Sequence, residues 1–173
     1  MILGGEEKRQ LLVKAIHEFE LDTFIETGTS DGETVRWLSP VCKRVYSIEL
    51  AEDFYHNAVR RTLDLVNVTL IYGNSGEVLQ WLMPYIEKPS FLWLDAHFNG
   101  RGDGSNPIMD ELRHVFYAKI PHVVFIDDAH LFGVDPVYPS VQQIINFLKE
   151  EVMYGLAPYS VNTADNIIKL CPV

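Results

Sequence analysis

Thr23-Phe24-Ile25-Glu26-Thr27-Gly28-Thr29-Ser30-Asp31-Gly32 is the stretch whose reading decides the fold. Thr23 to Thr27 is short, β-rich and bounded by turn residues, the pattern of a buried strand. Gly28 to Gly32 reads as a turn, and Glu33 to Leu38 starts a helix. Gly28 lets the chain turn sharply and approach a ligand with no Cβ in the way. Gly32 opens a helix whose first amides point at the same place. The segment lacks the second glycine of the Gly-x-Gly-x-x-Gly dinucleotide fingerprint. It also lacks the Lys-Ser/Thr ending of a triphosphate-binding loop. An acid at Glu26 suits a cationic ligand better than an anionic one. The bland alternative is an ordinary Gly-rich turn between a strand and a helix.

Outward from that turn, strands and helices alternate. Glu6 to Phe19 reads as a helix with Leu11, Leu12, Ala15, Ile16 and Phe19 on one face. Arg44 to Ile48 is a second strand closed by Glu49, followed by a helix over Ala51 to Leu65. Val68 to Tyr72 is a third strand, and Ser75 opens a capped helix with Val78, Leu79 and Leu82. Ser90 to Leu94 is a fourth strand ending at Asp95. A polar loop, Ala96 to Asn106, carries Gly100, Gly102 and Gly104 and has the make-up of a substrate lid or of a plain surface loop. Pro107 suits the first turn of a helix reaching about Ala118. Val123 to Ile126 is a fifth strand ending at Asp127-Asp128. The loop Ala129 to Pro139 precedes a helix from Ser140 to about Glu150. Two weaker strands are expected near Met153–Ala157 and Asn166–Leu170. Trp37, Trp81 and Trp93 read as core residues. The alternation predicts an α/β sandwich, a mostly parallel seven-stranded sheet closed by a C-terminal antiparallel hairpin.

The chain has 173 residues, the size of one domain, and nothing in it reads as a linker or a repeat, so 1–173 is expected to be a single unit. Its hydrophobic share of 47% and charged share of 22% are those of a soluble globular protein. No apolar run approaches the roughly 18 residues of a membrane span. The charged start, Glu6-Glu7-Lys8-Arg9, offers no apolar signal core, so a cytoplasmic protein with no membrane partner is expected. Two distant cysteines, Cys42 and Cys171, read as reduced thiols. The net charge is −10, which argues against a nucleic-acid backbone as partner.

In such sheets, ligands bind beyond the carboxyl ends of the strands, near the point where strand order reverses. The polar residues gather at those ends: Glu26 to Gly32, Glu49, Gly73-Asn74-Ser75, Asp95 to His97, and Asp127 to His130. Glu49 lies 21 positions beyond Gly28. A carboxylate there can accept two hydrogen bonds from a ribose diol.

Glu26-Thr-Gly-Thr-Ser-Asp-Gly32 resembles motif I of the class I S-adenosylmethionine-dependent methyltransferases. Val45-Tyr-Ser-Ile-Glu49 resembles their acidic-strand motif. Gly73-Asn-Ser75 resembles the Gly-Asp-Ala/Ser segment that borders adenine, with Asn74 in place of the usual Asp. The resemblance spans about Thr23 to Leu170 and implies the Rossmann-like class I methyltransferase sandwich. It implies S-adenosylmethionine as cofactor, with Glu26, Gly28, Thr29, Ser30 and Gly32 around its methionine part. Glu49 would take the ribose hydroxyls, Asn74 and Ser75 the adenine, and Asp95 the region of the amine and methyl.

Asp95, Asp127 and Asp128 close neighbouring strands, whose ends lie about 5 Å apart. Three hard oxygen donors there could hold Mg²⁺. The arrangement resembles the acidic sites of catechol-type and macrocin-type O-methyltransferases. A metal there would acidify a hydroxyl and aim it at the methyl. The catechol-type enzymes place a lysine base three residues after the first Asp, where this chain has Phe98. His97 and His130 are the candidate bases, with Asp95 beside the reacting groups. The alternative for the aspartates is loop and helix capping. The leading expectation is O-methylation of a small polyhydroxylated metabolite or sugar. Substrate choice then falls to the two loops or to a neighbouring copy in a homodimer. Two rivals stay open: a metal-dependent hydrolase or hydroxylase-like enzyme, and a non-catalytic module that binds S-adenosylmethionine.

Overall fold

A computed structural model describes residues 5–96 and 106–173. The elements are α1 (Gly5–Glu18), β1 (Thr23–Thr27), α2 (Glu33–Leu38), β2 (Arg44–Glu49), α3 (Glu52–Thr62), β3 (Val68–Tyr72) and α4 (Ser75–Leu82). They continue with β4 (Phe91–Leu94), α5 (Ile108–Phe116), β5 (Val123–Ile126), α6 (Val141–Met153), β6 (Tyr159–Ala164) and β7 (Ile167–Pro172). The seven strands form one sheet in the order β3-β2-β1-β4-β5-β7-β6. β1 to β5 pair in parallel, whereas β7 runs antiparallel to both β5 and β6. The chain winds outward from β1 to β3, returns to the other side of β1 for β4, and so reverses direction between β1 and β4. That crevice is where this architecture binds ligands.

Strand alternation decides what faces what. Phe24, Val45, Phe91, Trp93, Val123 and Phe125 pack with Leu12, Ala15 and Ile16 of α1 and Val35 and Leu38 of α2. Their strand neighbours Ile25, Ile48, Leu92, Leu94, Val124 and Ile126 pack on the opposite face with α4, α5 and α6. β1, β4 and β5 are buried along their whole length, which explains why β4 and β5 are apolar throughout, whereas β1 buries Thr23, Glu26 and Thr27 beside Phe24 and Ile25. Two helix starts carry recognisable caps. Asn74 Oδ1 accepts from the Gly76 and Glu77 amides at α4, and Ser140 with Gln143 forms a capping box at α6.

Two expectations change. The strand expected near Met153–Ala157 is instead β6 at Tyr159–Ala164, because α6 continues to Met153 and the chain turns at Gly155. β6 is an edge strand whose residues are half-exposed or exposed, so it has no apolar run to announce it. Trp81 is 52% exposed rather than in the core, while Trp93 is buried. β6 and β7 meet in a two-residue turn, Asp165-Asn166, with both residues at positive φ, the type I′ hairpin geometry. Both cysteines are free thiols. Among the described residues no helix is long and apolar enough to cross a membrane.

Candidate functional site at the carboxyl rim of the sheet

The sheet's hydrogen bonding continues past the strand ends. The Gly28 amide donates to the Ile48 carbonyl at 2.9 Å, Asp95 to Thr27 at 3.0 Å, Gly73 to Glu49 at 2.9 Å and Asp127 to Leu94 at 3.1 Å. The residues after each strand therefore keep the strand's alternation. Counting in twos from the α1-side residues Phe24, Val45, Trp93 and Phe125 puts Glu26, Glu49, Asp95 and Asp127 on one face, beneath α1 and α2. Two bonds fit this: Trp93 Nε1 donates to Asp95 Oδ2 at 3.2 Å, and Asp127 is reached by Lys8 of α1.

Gly28 has φ 86°, in the left-handed region that favours glycine. Ser30 follows at φ 51° and is pinned by its amide, which donates to Glu49 Oε2 at 2.8 Å. The other Glu49 oxygen accepts from the Ala51 amide, also at 2.8 Å. Glu49 thus ties the loop after β1 to the loop after β2, and each oxygen keeps a second lone pair for a ligand hydroxyl. Gly32 takes the N-cap position of α2. Thr29 lies one residue past Gly28, and its hydroxyl shares a 2.7 Å bond with Ser47.

Glu26 is buried, and its Oε2 accepts from the Ser47 hydroxyl at 2.6 Å. Burial is the main reason its carboxyl is pushed up to about 8; Asp95 and Glu49 push the same way, against the hydroxyls of Ser47 and Thr34. Without a cation beside it, this carboxyl holds its proton at neutral pH. An incoming ammonium would favour the ionised form.

A cavity of about 170 Å³ opens beside this turn, lined among others by Gly28, Ser30, Trp93, Asp95 and Lys8. Lys8 was not legible as a site residue in the sequence. Its ammonium donates to Asp127 Oδ2 and lies 5.7 Å from the centre of the Trp93 ring. Burial works against that charge. The hydrogen bond to Asp127, with the charges of Asp127, Asp95 and Asp128, outweighs it and holds Lys8 above its ordinary value. Lys8 stands four residues before Leu12 and seven before Ala15, on the buried stripe of α1, and a lysine on an apolar stripe is the signal that could have revealed it.

On the far side, Asn166 of the β6–β7 turn organises the rim. Its Nδ2 donates to Asp128 Oδ1 at 3.1 Å, and its Oδ1 accepts from the His130 amide at 3.0 Å. The same Oδ1 lies 2.8 Å from His130 Nδ1. A carboxylate can only accept, so Asp128 fixes which end of the amide faces it. The other end is then an acceptor, and Nδ1 must carry the proton. His130 is left with a basic lone pair on Nε2. Tyr138, in the loop between β5 and α6, is buried. Its hydroxyl is pushed up to about 12, first by burial and then by Asp128, Asp135 and Asp95.

Asp95, Asp127 and Asp128 do come to neighbouring positions, but they do not fit the expected Mg²⁺ site. Asp127 is taken by Lys8 and by the Asp128 amide, and Asp128 by Asn166. Among the described residues no group of three His, Cys, Asp or Glu side chains is arranged to hold an ion. Asn74 follows β3 as expected, with its Oδ1 spent on capping α4, and Ser75 is the first residue of that helix and buried. His97 and the glycine loop expected as a lid fall outside the described residues.

No protein-family model matches this chain, and neither does any curated protein sequence. Solved structures do match. The O-methyltransferase TomG from Streptomyces achromogenes, involved in tomaymycin synthesis and solved in complex with SAM, is 19% identical with a TM-score of 0.65, over 99% of this chain and 82% of TomG. An O-methyltransferase from Bacillus cereus in complex with SAH is 18% identical with a TM-score of 0.66, over 98% of this chain and 82% of its own. The SAH-bound methyltransferase PaMTH1 from Podospora anserina is 9% identical with a TM-score of 0.67, over 99% of this chain and 80% of its own. The chain has the Rossmann-like fold of the class I methyltransferases.

Proposed function

We propose that this protein is an S-adenosylmethionine-dependent methyltransferase acting on an oxygen of a small, polyhydroxylated metabolite. One observation carries the reading: Glu26, Glu49 and Asp95 share one face around the Gly28 turn, beside an open cavity, at the reversal point of the sheet. A ligand with a cationic end and a vicinal diol suits that set of acceptors. Glu26, a buried carboxyl with hydroxyl partners, is the group a cation would relieve.

Bound, S-adenosylmethionine would supply a methyl on a sulfonium, with the carbon–sulfur electron pair staying on sulfur as the acceptor oxygen bonds the methyl carbon. The chain's own work is positioning and charge handling. Glu26 and Asp95 hold the cationic end, and Gly28, Thr29, Ser30 and Gly32 give the backbone that curves around it. Glu49, braced by two amides, accepts from the ribose hydroxyls. Asn74 and Ser75 border the adenine. Nε2 of His130, the ring nitrogen turned away from the Asn166 amide, receives the proton shed by the acceptor. No step is assigned to a metal, because Asp127 already carries the Lys8 ammonium, which would repel one.

Calorimetry with S-adenosylhomocysteine tests this. Micromolar binding that Glu49→Ala weakens is the expected result. The absence of heat or of a thermal shift with either cofactor form would sink the reading.

A further inference from the structure

We propose that the Lys8 ammonium is the resident cation of this rim, taking the place among Asp95, Asp127 and Asp128 that a divalent metal would otherwise hold. The assignment extends the methyltransferase reading, but its geometry stands independently of it. Lys8 shares the buried stripe of α1 with Leu12, Ala15 and Ile16, so the burial that seats α1 on the sheet also drives the lysine to the strand ends. There it is held from two sides. Asp127, itself buried, accepts its hydrogen bond, and the face of Trp93 lies 5.7 Å away. The edge of the same indole donates to Asp95 at 3.2 Å. One ring therefore spaces the cation from the second carboxylate. Lys8 and Asp95 line one cavity with Gly28, so the lysine borders the space that the proposed ligand would enter.

An ammonium and a divalent ion are mutually exclusive here. Mg²⁺ demands near-octahedral oxygens at about 2.0–2.1 Å, and a dication drawn to Asp127 would lie within a few ångströms of the Lys8 ammonium bonded to the same carboxylate, whose charge repels it. The ammonium brings one charge and three donors at a point. One donor goes to Asp127, leaving the others for an oxygen in the cavity. A site built this way carries its own electrophilic assistance and gains nothing from added metal.

Mn²⁺ is the probe, followed by electron paramagnetic resonance and calorimetry on the purified chain. The wild type is expected to bind no Mn²⁺ tighter than about 1 mM, since Lys8 already sits on Asp127 and its charge repels the ion. Lys8→Met, which releases Asp127, is expected to bind Mn²⁺ at least about tenfold more tightly. Adding Asp127→Asn to Lys8→Met should abolish that gain. The double variant also buries no lone carboxylate, so it keeps the fold if the single variant is unstable. Should Lys8→Met precipitate, Lys8→Ala, which releases the same carboxylate and leaves room for water beside it, gives the same comparison. A wild type that binds Mn²⁺ as tightly as the Lys8 variants would overturn the proposal. S-adenosylhomocysteine titrated into the same samples separates the two claims. Its failure to bind would remove the methyltransferase reading, while the Mn²⁺ pattern would still decide the cation.

Discussion

Gly28 and Asp95 meet back to back across β1 and β4, so closely that a Cβ on Gly28 would lie 2.4 Å from the Asp95 carbonyl oxygen and 2.8 Å from its carbonyl carbon. The obstacle is backbone, which cannot swing aside as a side chain could. Gly28→Ala therefore has to push β4's end away from β1, the very crevice the cofactor would enter. It also meets left-handed strain of about 1–2 kcal/mol. Gly155 supplies the control. Its φ is 100°, yet nothing lies within 4 Å of a Cβ there. Gly155→Ala should lower the melting temperature by only about 2–6 °C and leave S-adenosylhomocysteine binding intact. Gly28→Ala should lower it further and abolish binding. Equal effects at the two positions would show that the contact with Asp95 does not matter.

Glu26 makes stability and binding depend on pH in opposite directions. Its carboxyl sits at about 8 when folded, against an ordinary value of 4.5. Between those values the folded chain keeps a proton that the unfolded chain has lost. Stability from this group is complete below about 4.5 and falls as pH rises through about 8. Cofactor binding, if it favours ionised Glu26, should tighten over the same rise, by up to about tenfold per pH unit below 8, with release of a proton. Chemical denaturation at several pH values and calorimetry in two buffers of different ionisation heat measure both. Glu26→Gln should flatten the two profiles; a wild-type profile already flat from pH 5 to 8 would contradict the assignment.

Much of this was legible in the sequence, and the divide has a physical cause. β4 and β5 are buried on both faces, so their apolar runs had no competing reading, and β1 stood out by its place before the Gly28 turn. The acids after them inherit a face from the period of two, so knowing that Glu26, Glu49 and Asp95 follow strands was nearly enough to bring them together. Lys8 and Asn166 escaped because helix rotation and the reach of a hairpin are settled by packing, not by local pattern. Lys8 is 119 positions from Asp127, and Asn166 is 38 from Asp128. The sixth strand escaped for a different reason. Val152 and Met153 prolong the helical pattern of α6, and the true strand, Tyr-Ser-Val-Asn-Thr-Ala, is too polar to stand out. The Asp165-Asn166 turn was the clue to its position.

In the proposed function Glu49 has two jobs, bracing two loops and binding the cofactor, that a single substitution would confound. Each oxygen accepts from a backbone amide, Ser30 on one side and Ala51 on the other. Charge-assisted bonds of this kind contribute about 1.5–3 kcal/mol. Glu49→Ala should weaken S-adenosylhomocysteine at least about tenfold and also loosen both loops. Hydrogen exchange separates the effects. The Ser30 and Ala51 amides should be protected in the wild type without any ligand and lose that protection in Glu49→Ala. If both amides stay protected in the variant, Glu49 is not the brace.

His130 owes its protonation pattern to a neighbour with no charge of its own. Asp128 can only accept, so the Asn166 amide presents Nδ2 to it and Oδ1 to the imidazole, which places the imidazole proton on Nδ1. Nitrogen-15 spectra of the ring should show the Nδ1–H tautomer as the dominant neutral form in the wild type. Asn166→Leu removes all three side-chain bonds, to Asp128, to the imidazole and from the His130 amide, while keeping an apolar volume in the turn, and the spectra should shift toward a mixture with Nε2–H. A base presenting the wrong nitrogen part of the time also needs reorientation before it can act. Methyl transfer in Asn166→Leu should therefore fall by about tenfold or more in kcat with cofactor affinity unchanged, the mark of a positioning residue. Leucine also costs the turn its positive-φ asparagine, so Asn166→Gly, which keeps the turn and loses the amide, is the cleaner partner. A dominant Nδ1–H tautomer surviving in Asn166→Gly would mean that something other than Asn166 holds the ring.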